Sequence, residues 1–291
     1  MRTNGVVVKA LLSVYFWLFL AFLLAPLVVL VIFAFDNSTT ATLPLEGLTT
    51  SWFSEAFTNG QLTDALLRSA LIAVFAAIIA TTLGLMASVG LTSERLRLRS
   101  LTVASLMLPL VVPYISLAVG LVILLQAMAV QTSLTAVVLG HVVIALPFAI
   151  LVLLPRLRTL DPSMNEAARD LGASDLTAFR LITLPLLGPA LVSSFLISFV
   201  TSFDEFAIAS FLAPSGQPTY PVFLYASSRT PALLPQVIAI GTLVIALSMA
   251  LVLIAEGGRR WVEKRLVGDE EFADEVSEEN LAEGLVMVAK S

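Results

Sequence analysis

Charged side chains are rare in this sequence, and three groups of them stand where recognition or proton chemistry needs an explanation. One is the segment from Glu166 to Gly172, which reads Glu-Ala-Ala-Arg-Asp-Leu-Gly between two apolar runs. The second is the adjacent pair Asp204 and Glu205, and the third is His141, the only histidine. A charged loop suits contact with a soluble partner, paired acids suit attraction of a cation, and a histidine suits proton transfer or metal ligation.

The composition identifies the surroundings of these groups. The chain has 291 residues, of which 58% are hydrophobic and 13% charged, and its mean hydropathy is +0.97. A water-soluble domain of this length does not have such a composition. The absence of cysteine excludes disulfides, thiolate metal sites and a cysteine nucleophile. The sequence therefore predicts a membrane protein.

Six apolar segments are long enough to cross a bilayer as helices, since a hydrocarbon core needs about 20 residues. None of them shows sustained period-2 alternation, which excludes barrel strands. The first is too long for a signal peptide and is expected to be retained. We predict an all-α, polytopic bundle of six transmembrane helices at about 10–35, 68–91, 101–127, 133–154, 187–212 and 235–256. Kinks are expected at Pro109, Pro113 and Pro147.

The distribution of lysine and arginine predicts the orientation, because these residues accumulate on the cytoplasmic side. With the N-terminus inside, all of the 16 basic residues except Arg68 and Arg229 fall on cytoplasmic segments. The prediction is N-in/C-in, with the Glu166 loop in the cytoplasm between the fourth and fifth helices. The transmembrane domain would cover residues 1–265, and residues 266–291 would form an acidic, mobile cytoplasmic tail.

The loop 156–186 carries the signals of two short helices. Asp161 can cap the first, with Pro162 at its first position, and Gly172 can end it in a left-handed turn. Ser174 can cap the second, which leads into the next apolar span. This helix–glycine–helix elbow would stand off the membrane, and its small alanines would let a partner surface approach closely. On these physical grounds alone, an ordinary well-capped cytoplasmic loop is an equal alternative.

The spacing of the elbow is more specific than its caps. Glu-Ala-Ala, three residues, Gly, nine residues, Ile, one residue and Leu-Pro resembles the EAA loop of type I ABC importer permeases with the MetI-like fold. The resemblance extends over about residues 5–265, and it implies that the elbow is the coupling helix seated on an ATPase subunit. The implied contact residues are Glu166, Ala167, Ala168, Gly172, Ile182, Leu184 and Pro185.

The same resemblance implies an assembly of several chains. Its other members would be two ABC ATPase subunits, a second homologous permease and an extracytoplasmic solute-binding protein, in the bacterial cytoplasmic (inner) membrane with its lipid and without nucleic acid. This chain has no Gly-x4-Gly-Lys-Ser/Thr phosphate loop. It would therefore be a non-catalytic transport subunit that binds no cofactor, while ATP and Mg²⁺ bind to the partner ATPase.

A narrower resemblance concerns the solute. Ser-Phe-Asp-Glu-Phe at 202–206, with Leu108-Pro109 and Thr219-Tyr220-Pro221, resembles the second permease of spermidine/putrescine systems. Thr-Tyr-Pro departs slightly from the Thr-Leu-Pro common in those relatives. The implied solute is a polyamine. Related sequences resemble carriers of ferric iron, thiamine, aminoethylphosphonate and amino-acid derivatives, so these solutes stay open as alternatives.

Two adjacent acids within an apolar run need a physical reason, because one charge at a helix centre costs roughly 2.5–3.5 kcal/mol on insertion scales. Asp204 and Glu205 could attract a cation or form a gate in the translocation path, together with Tyr114 and Phe203. They could instead form a structural pair, or lie exposed where the helix ends. His141 cannot form a metal site alone, so a packing or path-lining role is favoured over a proton-linked one.

Three classes of function compete for these features. A secondary transporter would explain the intramembrane acids, but it leaves the elbow motif unexplained and usually has a larger fold with internal repeats. An intramembrane enzyme would need a nucleophile–base pair or metal-ligand spacing on neighbouring helices, and the sequence has neither. An importer permease explains the elbow, the six spans and the missing nucleotide loop together.

Overall fold

The computed structural model describes residues 3–92, 99–250 and 253, and this part of the chain is built from helices and their connections. A single antiparallel bridge, between Asp36 and Leu48, is the only pairing of extended residues within these ranges. The helices are α1 Thr3–Ala34, α2 Ser51–Thr58, α3 Gly60–Thr92, α4 Arg99–Met107, α5 Tyr114–Ala127, α6 Leu134–Arg158, α7 Pro162–Asp170, α8 Asp175–Ala178, α9 Leu184–Leu186, α10 Gly188–Phe203, α11 Ala207–Leu212, α12 Tyr220–Ser227 and α13 Leu234–Ala250.

Several of these helices could cross a membrane. By length and composition, α1, α3 and α6 qualify alone among the described residues, and two bent helix pairs raise the number to as many as five. The shorter apolar helix α13 coincides with the start of the predicted sixth span, 235–256, whose end lies outside the described residues. The predicted tail at 266–291 lies outside them too. The chain is thus an all-α, multi-pass membrane protein, whereas six spans and N-in/C-in orientation stay predictions.

The segment predicted as the third span, 101–127, is interrupted in its middle. It consists of α4, a 3₁₀ turn at Leu108–Leu110 and α5, and the two parts are bent by 100°. Pro109 and Pro113 explain the interruption, because proline lacks the N–H of a helical hydrogen bond and disfavours helix in the residue before it. Pro147 behaves differently, since α6 continues through it.

The fifth predicted span, 187–212, is interrupted as well. A bend of 68° separates the helical stretch Asp175–Leu186 from α10 at Leu187. The helix then stops at Phe203, and α11 begins only at Ala207. Apolar composition therefore continues across positions at which the backbone leaves the helix.

Two compact units can be distinguished among the described residues, and each has its own internal packing. Neither is continuous in sequence, because the chain passes from one to the other several times. The first consists of the chain up to Leu71, Val122–Val137 and Asp204–Ser248, and the second mainly of Ile72–Leu121 and Val138–Phe203.

The second unit is organised by close packing of α3 on α6. Alanines on both helices form one buried cluster, which includes Ala76, Ala80 and Ala145. At Gly84 the helices approach so closely that an added Cβ would lie 2.7 Å from Ala149 Cβ. Small residues permit such contact, and dispersion between closely packed backbones holds membrane helices together. The core of this unit therefore lies along the α3–α6 contact.

Within the first unit, polar contacts join segments that are distant in sequence. Ser69 Oγ accepts a hydrogen bond from Tyr220 N–H at 2.8 Å. Asn59 Nδ2 donates to Gln236 Oε1 at 3.0 Å, which ties the start of α3 to α13. Such bonds retain much of their strength where water is scarce. They join the segments at Tyr220 and Gln236, which follow Asp204 in the chain, to the first part of α3 and the residue before it.

Candidate functional site

The first helix of the elbow, α7, begins at the cap that the sequence predicts. Asp161 Oδ1 accepts a hydrogen bond from Ser163 N–H at 2.9 Å, and Pro162 occupies the first helical turn. Hydrogen bonds from the Ser163 backbone and side chain lower the pKa of the Asp161 carboxyl, because they stabilise its ionised form. The predicted N-terminal cap is confirmed.

The end of α7 is a Schellman motif centred on Gly172. Gly172 has φ +88°, its N–H donates to the Arg169 carbonyl at 2.8 Å, and Ala173 N–H donates to the Ala168 carbonyl at 2.9 Å. An added Cβ at Gly172 would meet nothing within 4 Å. Glycine is thus required by the left-handed backbone rather than by space. The predicted left-handed turn is confirmed.

The second half of the elbow starts at another predicted cap. Ser174 Oγ accepts a hydrogen bond from Thr177 N–H at 3.3 Å at the start of α8. The helix then widens into a π turn at Phe179–Thr183 before α9. Pro185, in α9, has no N–H for the helical ladder. Single π turns often occur at functional positions in helices.

Two side-chain contacts join the halves of the elbow across Gly172. Arg169 Nε lies 2.8 Å from Asp175 Oδ1. Thr183 Oγ1, in the π turn, donates a hydrogen bond to Asn165 Oδ1 of α7 at 3.3 Å. With both ends of α7 capped as well, the elbow is a preformed element and not a loose connection.

Three leucines lie exposed on the elbow. Leu171 is 89% exposed, Leu176 66% and Leu181 73%. Exposed apolar groups that lie together commonly mark a protein contact. Among the seven residues predicted to contact an ATPase, Glu166, Ala167, Gly172 and Pro185 are exposed, and Ala168, Ile182 and Leu184 are half-buried. The structure brings these residues together on one elbow, while their role in contact stays a prediction.

The acidic pair occupies the interruption between α10 and α11, and its two members differ. Glu205 is 5% exposed, and its carboxylate accepts hydrogen bonds from Ile208 N–H at 2.9 Å and from Ala209 N–H at 3.1 Å. Asp204 is exposed. The structural alternative therefore describes Glu205, which caps α11. Asp204 is the exposed member of the pair, and a path role for either residue stays a prediction.

His141 lies in a buried polar seam of the second unit. Its Nδ1 is 2.8 Å from Ser202 Oγ. Ser194, one of three serines spaced by four residues on α10, donates to Thr81 Oγ1 at 3.3 Å. Hydroxyl contacts of this kind join membrane helices. No group of three or more His, Asp or Glu residues suited to a metal occurs in the described ranges. The packing interpretation of His141 fits this environment.

The two other candidate path residues also lie beside helix interruptions. Tyr114 is half-buried at the first position of α5, directly after the bend. Phe203 is half-buried at the last position of α10, and its ring stacks on that of Phe199 with 5.8 Å between centroids. All four candidates thus lie where regular helix is broken, although the structure does not test their role in transport.

Comparison with known proteins decides the family. Residues 80–268 match the model of the family described as "Binding-protein-dependent transport system inner membrane component". The chain belongs to this family. The match includes the elbow and the Asp204 interruption, so both features lie within the region that defines the permease. The permease is accordingly a membrane subunit of a transport system.

Relatives of the permease cover most of its length. It is 33% identical over 236 residues to the spermidine/putrescine transport system permease protein PotC of Haemophilus influenzae, covering 81% of this chain and 91% of the relative. It is 34% identical over 231 residues to the putrescine transport system permease protein PotI of Escherichia coli, covering 77% and 82%. The resemblance stated from the motifs is confirmed.

Solved structures agree on the fold. A bacterial ABC transporter involved in the import of the acidic polysaccharide alginate contains a chain that superposes with a TM-score of 0.61 at 16% identity. The superposition covers 89% of the permease and 96% of that chain. At this identity, the likeness concerns the fold alone. The chain therefore shares its fold with a chain of this ABC transporter.

One aromatic group near the acidic pair was missed by sequence reasoning. The rings of Phe206 and Tyr225 lie 5.1 Å apart, and both side chains are partly exposed. Arg229 Nη2 donates to Tyr225 Oη at 3.2 Å, with its guanidinium carbon 5.6 Å from the ring centroid. The four-residue spacing of Tyr225 and Arg229 was a signal for their contact. Nothing in the sequence paired Phe206 with Tyr225.

Proposed function

We propose that the permease is one of two non-identical membrane subunits of an ATP-driven polyamine importer in the bacterial cytoplasmic membrane. The names of its relatives support spermidine or putrescine as the solute. The observation that carries the importer mechanism is the capped elbow at 161–186, which exposes leucines next to the Glu-Ala-Ala sequence. An exposed, preformed element that carries such leucines suits a groove on a soluble subunit.

The proposed topology has six spans with both termini inside. The charge distribution of the sequence supports this orientation. It puts the elbow in the cytoplasm, where Glu166, Ala167, Ala168 and Gly172 would contact the ATPase, with Ile182, Leu184 and Pro185 at the return to the membrane. Ala167 is exposed and short, so the partner surface can approach the backbone of α7.

The proposed cycle begins on the partner subunits. Two ATPases bind ATP and Mg²⁺, close together and draw the two elbows of the paired permeases with them. Because the elbow is braced by Arg169–Asp175 and Asn165–Thr183 contacts, displacement of α7 is passed to α10 and not absorbed within the loop. The permease then exposes its pathway to the extracytoplasmic binding protein, which releases the solute.

Asp204 is the proposed contact for a cationic solute within this chain. Its carboxylate is exposed at a helix interruption, and a carboxylate is the natural partner of a protonated amine. Tyr114 and Phe203 are further proposed path residues, each considered by itself, since aromatic faces attract organic cations. Asp204→Asn should reduce polyamine uptake about fivefold, the effect of losing roughly 1 kcal/mol of attraction. Unchanged uptake would remove Asp204 from the pathway.

Transport by the reconstituted complex tests the proposal directly. The complete complex in proteoliposomes should take up labelled putrescine or spermidine only with ATP and binding protein. Ferric iron, thiamine and aminoethylphosphonate serve as competing solutes. Preference for one of these would replace the polyamine assignment without affecting the importer mechanism.

A charge reversal separates the coupling role of the elbow from general damage. Glu166→Lys should abolish ATP-dependent uptake while the protein still inserts into the membrane. Glu46→Lys, at an exposed acid between α1 and α2, is the matched control and should retain uptake. If Glu166→Lys transported normally and still co-purified with the ATPase, the elbow would not be the coupling element.

A further inference from the structure

The turn after α1 contains a buried carboxylate that the transport mechanism does not use. Asp36 is 1% exposed. Its Oδ1 accepts a hydrogen bond from Glu46 N–H at 2.9 Å, and its backbone carbonyl accepts one from Trp52 Nε1 at 2.8 Å. Asp36 also forms the bridge to Leu48. Its side chain is thus held in one position by the connection between α1 and α2.

The second carboxylate oxygen has no such contact. Asp36 Oδ2 is buried and accepts no hydrogen bond from any group in the part of the chain that the structure describes. A buried, unsatisfied polar atom is costly, and a buried charge without compensation is more so. A positive or hydrogen-bonding occupant beside Oδ2 would remove this cost. The geometry therefore calls for a small occupant at this position.

A small cavity adjoins the carboxylate. It measures about 10 Å³, close to the roughly 10–15 Å³ that one water needs. One side is formed by oxygen-bearing residues of the turn, and the other by apolar side chains. Its lining is Phe33, Asp36, Ser38, Thr39, Thr40, Ala41, Leu234, Pro235 and Ile238.

Two hydroxyl groups of the turn lie close together. Ser38 is 8% exposed, and its Oγ lies 3.1 Å from Thr40 Oγ1. It also accepts a hydrogen bond from Thr40 N–H at 3.1 Å, which fixes the turn. Hydroxyls, backbone carbonyls and a carboxylate are the ligands that hard cations prefer. The turn offers a carboxylate and hydroxyls within residues 36–40.

We propose that this turn binds a single sodium ion between Asp36 Oδ2 and the hydroxyls of Ser38 and Thr40. One carboxylate balances one positive charge, and no second acid lines the cavity. The donor set contains no sulfur or imidazole, so it does not suit a transition metal. The volume suits an ion of about the size of a water molecule. Bound sodium holds together the turn that follows α1.

Ion-dependent melting of the full-length permease in lipid nanodiscs tests the site. Chloride salts of sodium, potassium and N-methylglucamine are compared at equal ionic strength, with the melting temperature as the readout. A bound ion stabilises the folded state by mass action. The melting temperature in sodium should be about 3 °C higher than in N-methylglucamine, which serves as the reference. The increase in potassium should be smaller.

Matched variants show whether the effect belongs to Asp36. Asp36→Asn keeps the acceptor for Glu46 N–H but removes the charge, and it should abolish the sodium-dependent rise. Asp64→Asn, at an exposed acid of α3, should retain the rise in full. Ser38→Ala should require several-fold more sodium for the same rise, and it decides the matter if Asp36→Asn does not fold.

Three results would overturn the proposal. One is equal melting of the unmodified permease in all three salts, which would indicate an ordered water in the cavity. Another is a melting temperature in N-methylglucamine as high as that in sodium. The third is a sodium-dependent rise that survives unchanged in Ser38→Ala and in any folded Asp36→Asn protein.

Discussion

Two short helices in this permease begin at a carboxylate, and their surroundings are opposite. Asp161 caps α7 at an exposed position of the elbow, whereas Glu205 caps α11 and is 5% exposed. Water can replace the first cap, but it has little access to the second. A carboxylate cap therefore orders the exposed elbow at α7. At α11, a carboxylate cap makes an interruption of an apolar run tolerable. An acid in a membrane segment can thus serve the backbone rather than the solute.

The largest effect should follow from removing the buried cap. Glu205→Ala leaves Ile208 and Ala209 N–H without their acceptor, at a cost of about 1–3 kcal/mol for each buried group. The complex should melt at a lower temperature and be recovered in lower yield. Melting in nanodiscs measures the loss.

Two variants sharpen this test. Glu205→Gln keeps an acceptor of the same length and should recover much of the stability. Asp204→Asn changes the exposed neighbour and should leave melting unchanged. If the Asp204 variant lost as much stability as the Glu205 variant, the division of roles between the two acids would be wrong.

A smaller effect is expected at Gly172, which follows the C-terminal end of α7. Gly172→Ala imposes a Cβ on a left-handed residue and should cost about 1–2 kcal/mol of elbow stability. Uptake should fall more than ATP hydrolysis, because the distorted elbow would couple the two poorly. The ratio of solute transported to ATP hydrolysed measures this.

Gly172→Asn is the informative comparison, since asparagine adopts left-handed conformations more readily. It should give an intermediate ratio. Equal ratios for alanine, asparagine and glycine would show that the Schellman turn is not needed for coupling.

The ion pair across the turn should contribute less again. Arg169 and Asp175 are exposed, and such pairs are worth about 0.2–1 kcal/mol. Arg169→Asp or Asp175→Arg alone should lower coupled uptake modestly, and the double reversal should restore part of it. Failure of the double variant to exceed both single variants would assign the defect to contact with the partner and not to bracing of the elbow.

The smallest effect concerns pH at the exposed cap. The pKa of Asp161 is lowered in the folded chain by its hydrogen bonds with Ser163. Its contribution to stability is therefore present above the unfolded pKa and is lost as pH falls through the lowered folded pKa. Between neutral and acid pH, Asp161→Asn should flatten this part of the melting profile. An identical pH profile for both proteins would exclude a role of the ionised cap.

The elbow was predictable because its signals are local. Asp161, Pro162, Gly172 and Ser174 each act on a backbone group within a few residues, so residue type and spacing were enough. The family resemblance was predictable for the same reason, since the Glu-Ala-Ala pattern lies in one stretch of sequence. The caps and the family were confirmed.

The interruptions were harder to predict because hydropathy measures composition and not continuity of hydrogen bonding. Pro109 and Pro113 gave a warning of the bend between α4 and α5, but Pro147 gave the same warning within an unbroken helix. The cap formed by Glu205 had no local signal, because its acidic side chain was equally compatible with a pathway role. Contacts such as Phe206 with Tyr225 depend on tertiary packing, which no local pattern encodes.

The close approach at Gly84 has a mechanical consequence. With an added Cβ only 2.7 Å from Ala149, no clearance remains for α3 and α6 to slide past each other by partial steps. Packed interiors resist continuous deformation and favour movement of whole elements. The two helices should consequently move as one rigid body. A displacement at one end of the pair should then reach the other end with little loss to bending.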